Sequence, residues 1–332
     1  MKDLQTSFFV QKEIYRAVDG VSFSVAGGST LAIVGESGSG KTVTASSIMQ
    51  IVPNPPGRIV SGEVWFKGEN LLLKTEKEMC KIRGKQITMI FQEPMTSLNP
   101  VFKVGSQIEE AILLHQNFTD EKGNAFSAQR KKEIARARTV ELLEKVGIPD
   151  APSRAKDYPH QLSGGMRQRV MIAMALVCQP DLLIADEPTT ALDVTVQAQI
   201  LDLLLHLQKE FKTAIILITH DFGIVAEFAD EVAVMYAGQI VEQSTVEKVF
   251  AHPRHPYTRS LLNSIPRLDL DEQDLYVIPG KVPNASCYPA GCRFYPRCSA
   301  SHERCRTNMP QLEMVKEGHM VRCFLPEGEM DA

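Results

Sequence analysis

The sequence lacks the features that place a protein in or across a membrane. No apolar run approaches the roughly 20 residues that span a bilayer, and the N-terminal MKDLQTSFF lacks the basic-then-apolar pattern of a signal peptide. A strong charge of either sign is also missing, because 36 Lys and Arg residues face 40 Asp and Glu residues. These absences predict a cytosolic protein without a nucleic-acid surface, whose role at any membrane is carried out from one side.

The 332 residues contain enough apolar sequence for a sizeable core. Hydrophobic residues make up 44% of the chain, and this length predicts two domains. Strand patterns over 17–25, 30–34 and 61–67 precede a helix-forming stretch near 105–147, and strands return in LLIAD, TAIILITH and EVAVMYAG. The alternation predicts an α/β fold with a parallel, doubly wound sheet, interrupted by a helical insertion over about 93–165.

A glycine-rich loop follows the predicted strand of residues 30–34. Its sequence, GESGSGKT, fits the phosphate-binding pattern G-x-x-x-x-G-K-[ST]. Glycines let the backbone N–H groups point inward at phosphate oxygens, and the next helix adds the positive end of its dipole. Lys41 is predicted to reach the β- and γ-phosphates of ATP, and Thr42 to bind Mg²⁺. The predicted nucleotide contacts are Gly35, Glu36, Ser37, Gly38, Ser39, Gly40, Lys41, Thr42 and Val43.

Two acidic residues end the apolar run LLIADE. Asp186 is expected at the carboxyl edge of the sheet, beside the glycine-rich loop, where a carboxylate can hold the water shell of Mg²⁺. Two acids at the end of a buried strand are costly without a cation. Asp186 and Glu187 therefore predict a magnesium-dependent ATPase.

A second glycine-rich anion site, LSGGM, lies between these two motifs. Ser163 and the amides of Gly164 and Gly165, at the head of a helix, can contact a phosphate. Such a site is useful when two domains face each other and each closes the other's nucleotide. GESGSGKT, LSGGM and LLIADEPTTALD, in this order, resemble the ATP-binding cassette (ABC) family.

This resemblance implies a fold and a set of catalytic roles. The fold would be a P-loop NTPase (RecA-like) cassette over residues 1–245, with the helical insertion inside it. Glu187 would be the general base that activates the attacking water. Gln92, in IFQEP, would sense the γ-phosphate and the magnesium ion, and His220 would contact the γ-phosphate.

The resemblance also implies contacts at the two ends of the nucleotide. Adenine would stack on an aromatic side chain before the glycine-rich loop, for which Phe8 is the first candidate and Tyr15 the second. Asp193 would cross the interface between two cassettes, and the residues of LSGGM would close the partner's ATP.

Four cysteines near the C-terminus, Cys292, Cys298, Cys305 and Cys323, are separated by five, six and seventeen residues. In a chain without a secretion signal, clustered thiols suggest a metal before disulfides. Structural zinc sites use close C-x₂₋₄-C pairs, and these four form none. Their wider gaps favour a [4Fe–4S] cluster, with zinc as the alternative. They predict a small irregular cysteine-rich module over residues 246–332.

The same tail carries HPRHPYTRSLLNSIPRL and PAGCRFYPRC. These segments sharpen the resemblance to the ATP-binding subunits of oligopeptide, dipeptide and nickel importers. His252 and His255 can be metal ligands, but the prolines beside them favour a rigid docking turn. EPMTSLNP (93–100) is similar to that group's contact surface for the coupling helices of the permeases.

The importer resemblance implies several partners. These are a second, different ABC ATPase subunit, two membrane permease subunits and an extracytoplasmic substrate-binding protein, with the chain peripheral to the cytoplasmic face of the cell membrane. The alternative is a soluble, non-transport ABC ATPase that carries an iron–sulfur cluster. Such proteins generally hold two cassettes or a coiled coil, whereas this sequence has one glycine-rich phosphate loop, one LSGGM and no heptad run.

Overall fold

In the computed structural model, the described residues are 1–92, 97–119, 124–190, 192–265 and 276–325. The strands are β1 (Lys2–Val10), β2 (Glu13–Val21), β3 (Thr30–Val34), β4 (Gly57–Glu63), β5 (Trp65–Phe66), β6 (Glu69–Asn70), β7 (Ile87–Ile90), β8 (Leu182–Asp186), β9 (Ala214–Thr219), β10 (Glu231–Tyr236), β11 (Gln239–Thr245), β12 (Glu313–Lys316) and β13 (His319–Val321). The helices are α1 (Lys41–Ile48), α2 (Glu76–Ile82), α3 (Val104–His115), α4 (Ala128–Lys145), α5 (Ala151–Arg154), α6 (Gly164–Leu176), α7 (Val194–Phe211), α8 (Phe222–Phe228), α9 (Val246–Ala251), α10 (Pro256–Asn263) and α11 (Glu303–Thr307). Single 3₁₀ turns occupy Leu71–Leu73, Pro159–Gln161 and Tyr295–Arg297.

The chain divides into two units. The first comprises Met1–Val25, Thr30–Lys74 and Leu217–Ala332, and the second comprises Ala26–Ser29 and Thr75–Ile216. The described residues contain no helix that is long and apolar enough to cross a membrane.

An antiparallel sheet opens the first unit. In it β1 is the middle strand between β2 and β4. A hydrogen bond of 2.8 Å between the buried hydroxyls of Thr6 and Ser47 ties β1 to α1, the helix that follows the glycine-rich loop. The sheet therefore lies against that helix.

A second set of strands in the first unit is partly parallel. β3 pairs with β10 in parallel, as the alternation of strands and helices predicted. Strands β11, β13 and β12 continue the sheet from β10 through antiparallel pairings and were not predicted. Of these, β12 and β13 are only four and three residues long. The core beside them holds Val34, Val234 and Tyr236 together with Tyr257 and Phe294. Residues beyond 246 thus share a core with the strand that leads into the glycine-rich loop.

Helices dominate the second unit. α3, α4 and α5 lie within the stretch predicted as a helical insertion, and α6 begins at Gly164, near its predicted end. The strands β7 and β8 pair in parallel, from Ile87 opposite Leu182 to Ile90 opposite Ala185. This pairing also agrees with the predicted parallel sheet.

Candidate nucleotide site and cysteine segment

The glycine-rich loop joins β3 to α1 and is closely packed from both sides. A Cβ atom added at Gly35 would lie 2.1 Å from the carbonyl oxygen of Met235, and one added at Gly40 would lie 2.3 Å from that of Ala17. Gly40 has a φ of 104° and precedes α1 without a side-chain cap. The loop therefore requires glycine at both positions, and an anion at the head of α1 would complete the cap.

The loop is folded around its lysine. The buried Lys41 ammonium donates hydrogen bonds to the carbonyl oxygens of Gly35 at 2.7 Å and Glu36 at 3.1 Å. The Ser39 N–H also donates to the Glu36 carbonyl, at 3.2 Å. Within the described chain, the buried Ser39 hydroxyl has no hydrogen-bond partner. Ser37, Gly38 and Thr42 are exposed and Val43 is half-buried, so part of the loop faces solvent.

The two aromatic candidates for adenine stacking face each other across β1 and β2. Phe8 lies opposite Tyr15, and both are half-buried. The ring of Phe8 packs on Gly57, where an added Cβ would come within 2.8 Å of Phe8 Cε1. The Tyr15 hydroxyl donates to Glu13 at 2.6 Å. Both side chains project from one face of the sheet, so this geometry keeps both as candidates.

His220 directly follows β9 and is exposed. The next residue, Asp221, caps α8 by accepting hydrogen bonds from the N–H groups of Gly223 at 2.7 Å and Ile224 at 3.4 Å. This cap fixes the turn between β9 and α8 in which His220 lies.

In the second unit, β8 carries the acidic pair. Asp186 ends the strand and is 1% exposed. Glu187 has a φ of 47°, in the left-handed region, and its Oε2 accepts hydrogen bonds from Gln92 Nε2 at 3.0 Å and Thr190 Oγ1 at 2.9 Å. The structure thus brings Gln92 and Glu187 together, although 95 residues separate them.

The motif LSGGM begins α6 and lies against the start of α7. Ser163 caps α6 by accepting from the Met166 N–H at 3.3 Å, and Asp193 caps α7 by accepting from the Val196 N–H at 2.9 Å. A Cβ atom added at Gly165 would lie 2.9 Å from Val196 Cγ1, so glycine allows this close approach. Gly164, Gly165 and the two caps therefore form one cluster.

Four cysteines line a single cavity in the first unit, together with His255 and Phe294. They are Cys292, Cys298, Cys305 and Cys323. Burial, with a smaller contribution from the neighbouring thiols, raises the pKa of Cys292 and of Cys298 to about 11. Cys287 is exposed. Yet no group of three or more His, Cys, Asp or Glu side chains in the described ranges has the geometry to hold a single metal ion.

A buried carboxylate that the sequence analysis missed organises the HPRHP turn. Glu242 is 0% exposed and accepts hydrogen bonds from the N–H groups of Arg254 at 2.8 Å and His255 at 2.9 Å. His319 Nε2 lies 2.7 Å from the same carboxylate. His255 itself accepts from the Tyr257 N–H at 3.0 Å, which caps α10. Burial lowers the pKa of His255 to about 4, which keeps this cap neutral at physiological pH.

Two further residues that the sequence analysis missed touch the glycine-rich loop. Arg297 forms an ion pair with Glu36, and the Tyr257 hydroxyl accepts a hydrogen bond from the Glu36 N–H. Both residues lie in the importer-like motifs HPYT and YPRC. Those motifs carried the resemblance to importer subunits, but nothing in the spacing of the sequence indicated what their side chains contact.

Comparison with known proteins agrees with these motifs. The model of the family described as "ABC transporter" matches residues 18–190, and that of the "Oligopeptide/dipeptide transporter, C-terminal region" matches residues 241–305. The chain is 52% identical to the oligopeptide transport ATP-binding protein AppD of Bacillus subtilis, over 99% of this chain and 97% of that one. It is 49% identical to the dipeptide transport ATP-binding protein DppD of Escherichia coli, over 97% of this chain and 95% of that one.

A solved structure confirms the fold class. The dimeric, post-hydrolysis structure of the ATP-binding cassette MJ0796 bound to ADP and Pi superposes with a TM-score of 0.63. It is 26% identical in sequence and covers 74% of this chain and 97% of its own. The fold is thus that of a P-loop NTPase, the ABC cassette.

The chain is an ABC transporter ATPase. It belongs to the family of ATP-binding subunits of oligopeptide and dipeptide ABC importers.

Proposed function

We propose that this chain hydrolyses ATP to drive the uptake of dipeptides, oligopeptides or a related solute such as nickel through membrane permeases. The observation that carries the proposal is the extent of the similarity to transport subunits, which includes the ATP-binding motifs and the C-terminal region. Lys41, Glu187 and His220 are all present, so the chain has the side chains that the family's hydrolysis requires.

In this proposal the glycine-rich loop, residues 35–43, carries the phosphates of ATP. The packed glycines, the uncapped head of α1 and the buried Lys41 support this placement. Adenine stacks on Phe8, with Tyr15 as the second candidate. Thr42, Asp186 and Gln92 would be the residues that hold Mg²⁺, because they offer the hydroxyl, carboxylate and amide oxygens that this ion prefers. When bound, the ion neutralises charge on the phosphates.

The proposed general base is Glu187, which accepts a proton from the attacking water. Its carboxylate already accepts hydrogen bonds from Gln92 and Thr190, which hold it in one orientation. His220 contacts the γ-phosphate. In this proposal the protein activates water and stabilises the charge of the transferred group, as phosphoryl transfer requires.

Hydrolysis takes place in a dimer of cassettes, and a second, different ABC ATPase subunit is the proposed partner. Ser163, Gly164 and Gly165 bind the γ-phosphate of the partner's ATP, and Asp193 lies at the interface. Val194, which follows Asp193, is 83% exposed, as expected of an apolar residue that a partner covers.

The proposed partners also include two permease subunits, bound through their coupling helices, and an extracytoplasmic substrate-binding protein. The chain would lie at the cytoplasmic face of the cell membrane, with residues 1–245 as the ATPase domain and 246–332 as an importer-type extension. Residues 93–96 of EPMTSLNP lie outside the described residues. Just beyond the motif, Val101 and Phe102 are 71% and 55% exposed, which supports a docking surface there.

For the cysteine segment we propose a [4Fe–4S] cluster on Cys292, Cys298, Cys305 and Cys323. Their shared cavity supports this ligand set, because iron–sulfur clusters are held by four thiolates. A zinc ion needs every donor about 2.3 Å from one point, and the described residues offer no such arrangement. Zinc therefore stays the alternative, and the donor chemistry favours the cluster.

Uptake measurements test the transport proposal. In a cell lacking this chain, the wild-type gene should restore uptake of a labelled dipeptide, an oligopeptide or nickel, and Glu187→Gln should not. Restoration by both genes would refute ATP-driven import by this chain. For the cluster, protein purified without oxygen should contain about four irons and absorb broadly near 400 nm. A protein that contains zinc, or no metal, would refute the proposed iron–sulfur cluster.

A further inference from the structure

The second residue of the glycine-rich loop is held by an arginine from the far end of the chain. Arg297 Nη1 donates to Glu36 Oε2 at 2.6 Å, and Arg297 Nη2 donates to Glu36 Oε1 at 3.0 Å. The Arg297 side chain is 4% exposed and that of Glu36 is 28% exposed. Two parallel bonds to one carboxylate fix the orientation of both groups, and partial burial strengthens them.

The backbone of Glu36 is held as well. Its N–H donates to the Tyr257 hydroxyl at 2.8 Å. Tyr257 is 0% exposed and packs on Tyr236 and Phe294, with ring centroids 4.6 Å and 5.3 Å apart. This hydroxyl therefore cannot follow the loop if the loop moves.

The arginine has little freedom of its own. Arg297 Nε donates to the Pro279 carbonyl oxygen at 2.8 Å, and Nη1 also approaches the Tyr236 hydroxyl at 3.4 Å. A second arginine of the same turn, Arg293, pairs with Asp19 and donates to the Ala237 carbonyl, where β10 ends beside the loop. Both arginines are thus held in place by contacts that do not involve Glu36.

The backbone carbonyl group of Glu36 is hydrogen-bonded to the residues of the loop that are proposed to bind phosphate. Its carbonyl oxygen accepts from the Lys41 ammonium at 3.1 Å and from the Ser39 N–H at 3.2 Å. One residue therefore links the C-terminal segment to the lysine and to the backbone that carry the phosphates.

We propose that Arg297 and Tyr257 are positioning residues for ATP: they fix Glu36 and so hold the glycine-rich loop in the curvature that binds phosphate. The C-terminal segment then sets nucleotide affinity without touching the nucleotide. Without the contacts of Arg297 and Tyr257 with Glu36, the binding of ATP would itself have to order the loop, which costs free energy. Loss of these contacts therefore weakens ATP binding and raises KM more than it lowers kcat.

The test uses the full-length chain and its affinity for ATP, measured by equilibrium titration, alongside KM and kcat for hydrolysis. The variants are Arg297→Gln, Arg297→Lys, Glu36→Gln, the double variant Glu36→Gln with Arg297→Gln, and Tyr257→Phe. Arg306→Gln is the matched control, because Arg306 is exposed in the same segment and its replacement removes the same charge. Thermal melting of each variant reports folding.

We expect Arg297→Gln and Glu36→Gln each to weaken ATP binding by about tenfold, the loss that a strong charge-assisted pair implies. Lysine keeps the charge but cannot make the paired bonds. Arg297→Lys should therefore weaken ATP binding by about half as much as Arg297→Gln does, on a logarithmic scale of affinity. Tyr257→Phe should show a smaller loss, and the control should bind as the wild type does. The double variant should bind no worse than either single variant, because both remove one interaction.

Wild-type affinity for ATP in a folded Arg297→Gln or Arg297→Lys variant would overturn the proposal. The ion pair between Arg297 and Glu36 would then only fix the position of the C-terminal segment. A double variant whose loss is the product of the single losses would overturn the proposal too. Should the arginine variants fail to fold, Glu36→Gln decides the question, because it leaves every residue of the C-terminal segment in place. Unchanged affinity there would end the proposal.

Discussion

Gln92 donates a hydrogen bond of 3.0 Å to Glu187, and Thr190 donates to the same carboxylate oxygen at 2.9 Å. Glu187 also has a left-handed backbone, with a φ of 47°. Residues other than glycine keep such a conformation where the surrounding structure imposes it. The carboxylate is therefore aimed by its neighbours.

The first prediction concerns this carboxylate. Glu187→Gln keeps the shape of the side chain but cannot accept a proton, so turnover should fall by about 10²–10⁴-fold, the usual contribution of a general base. ATP binding should be retained. Phosphate release and equilibrium ATP binding measure the two effects, and near-normal hydrolysis would remove Glu187 as the base.

The second prediction separates the two aromatic candidates. Phe8→Ala should weaken ATP binding by an amount equivalent to about 1–3 kcal/mol, the worth of one base–aromatic stack, and Tyr15→Ala should have less effect. Phe9→Ala is the matched control, because Phe9 is the next residue of β1, 46% exposed, and faces the other side of the sheet. A larger loss for Tyr15→Ala than for Phe8→Ala would reverse the assignment.

The third prediction concerns the cysteine cavity. Cys305→Ser should abolish visible absorbance near 400 nm, because Cys305 is buried and lines the cavity with three other thiols. Cys287→Ser should keep the absorbance, because Cys287 is exposed. ATP binding should fall by no more than a few-fold in either variant, since Arg297 keeps its own anchors. If Cys305→Ser abolished ATP binding completely, this would show that the cavity is essential for folding of the nucleotide site.

The fourth prediction concerns stability. Glu242→Ala removes a fully buried acceptor of two backbone hydrogen bonds and the partner of His319. Breaking a buried pair of this kind costs about 3–5 kcal/mol, so the melting temperature should drop by several degrees. Glu247→Ala, at an exposed position in the first turn of α9, removes the same charge and should change it little. Equal melting temperatures for both variants would refute a structural role for Glu242.

The glycine-rich loop, the strand before it and the strand that ends at Asp186 could be predicted from sequence, because their chemistry is local. β3 covers Thr30–Val34 and β8 covers Leu182–Asp186, which are the bounds that the apolar runs indicated. A buried strand appears in the sequence as a short apolar run, and a phosphate-binding loop appears as a glycine-rich pattern. Each can therefore be recognised from a stretch of fewer than about ten residues.

The contacts of the C-terminal segment could not be predicted in that way. Arg297 and Glu36 are 261 residues apart, and the pattern around each gives no sign of the other. The strands β12 and β13 are four and three residues long, too short for an alternating pattern to be visible. The cysteine spacing indicated one shared site, and the four thiols do line one cavity, but the spacing alone does not determine the ligand.

The distance in sequence between Glu36 and Arg297 has a consequence for synthesis of the chain. The guanidinium of Arg297 is synthesised 261 residues after Glu36, the residue of the glycine-rich loop with which it pairs. A product that terminates early would contain the loop, the lysine and the acidic pair and still lack this ion pair. The contact that holds Glu36 can therefore form only after translation has passed Arg297.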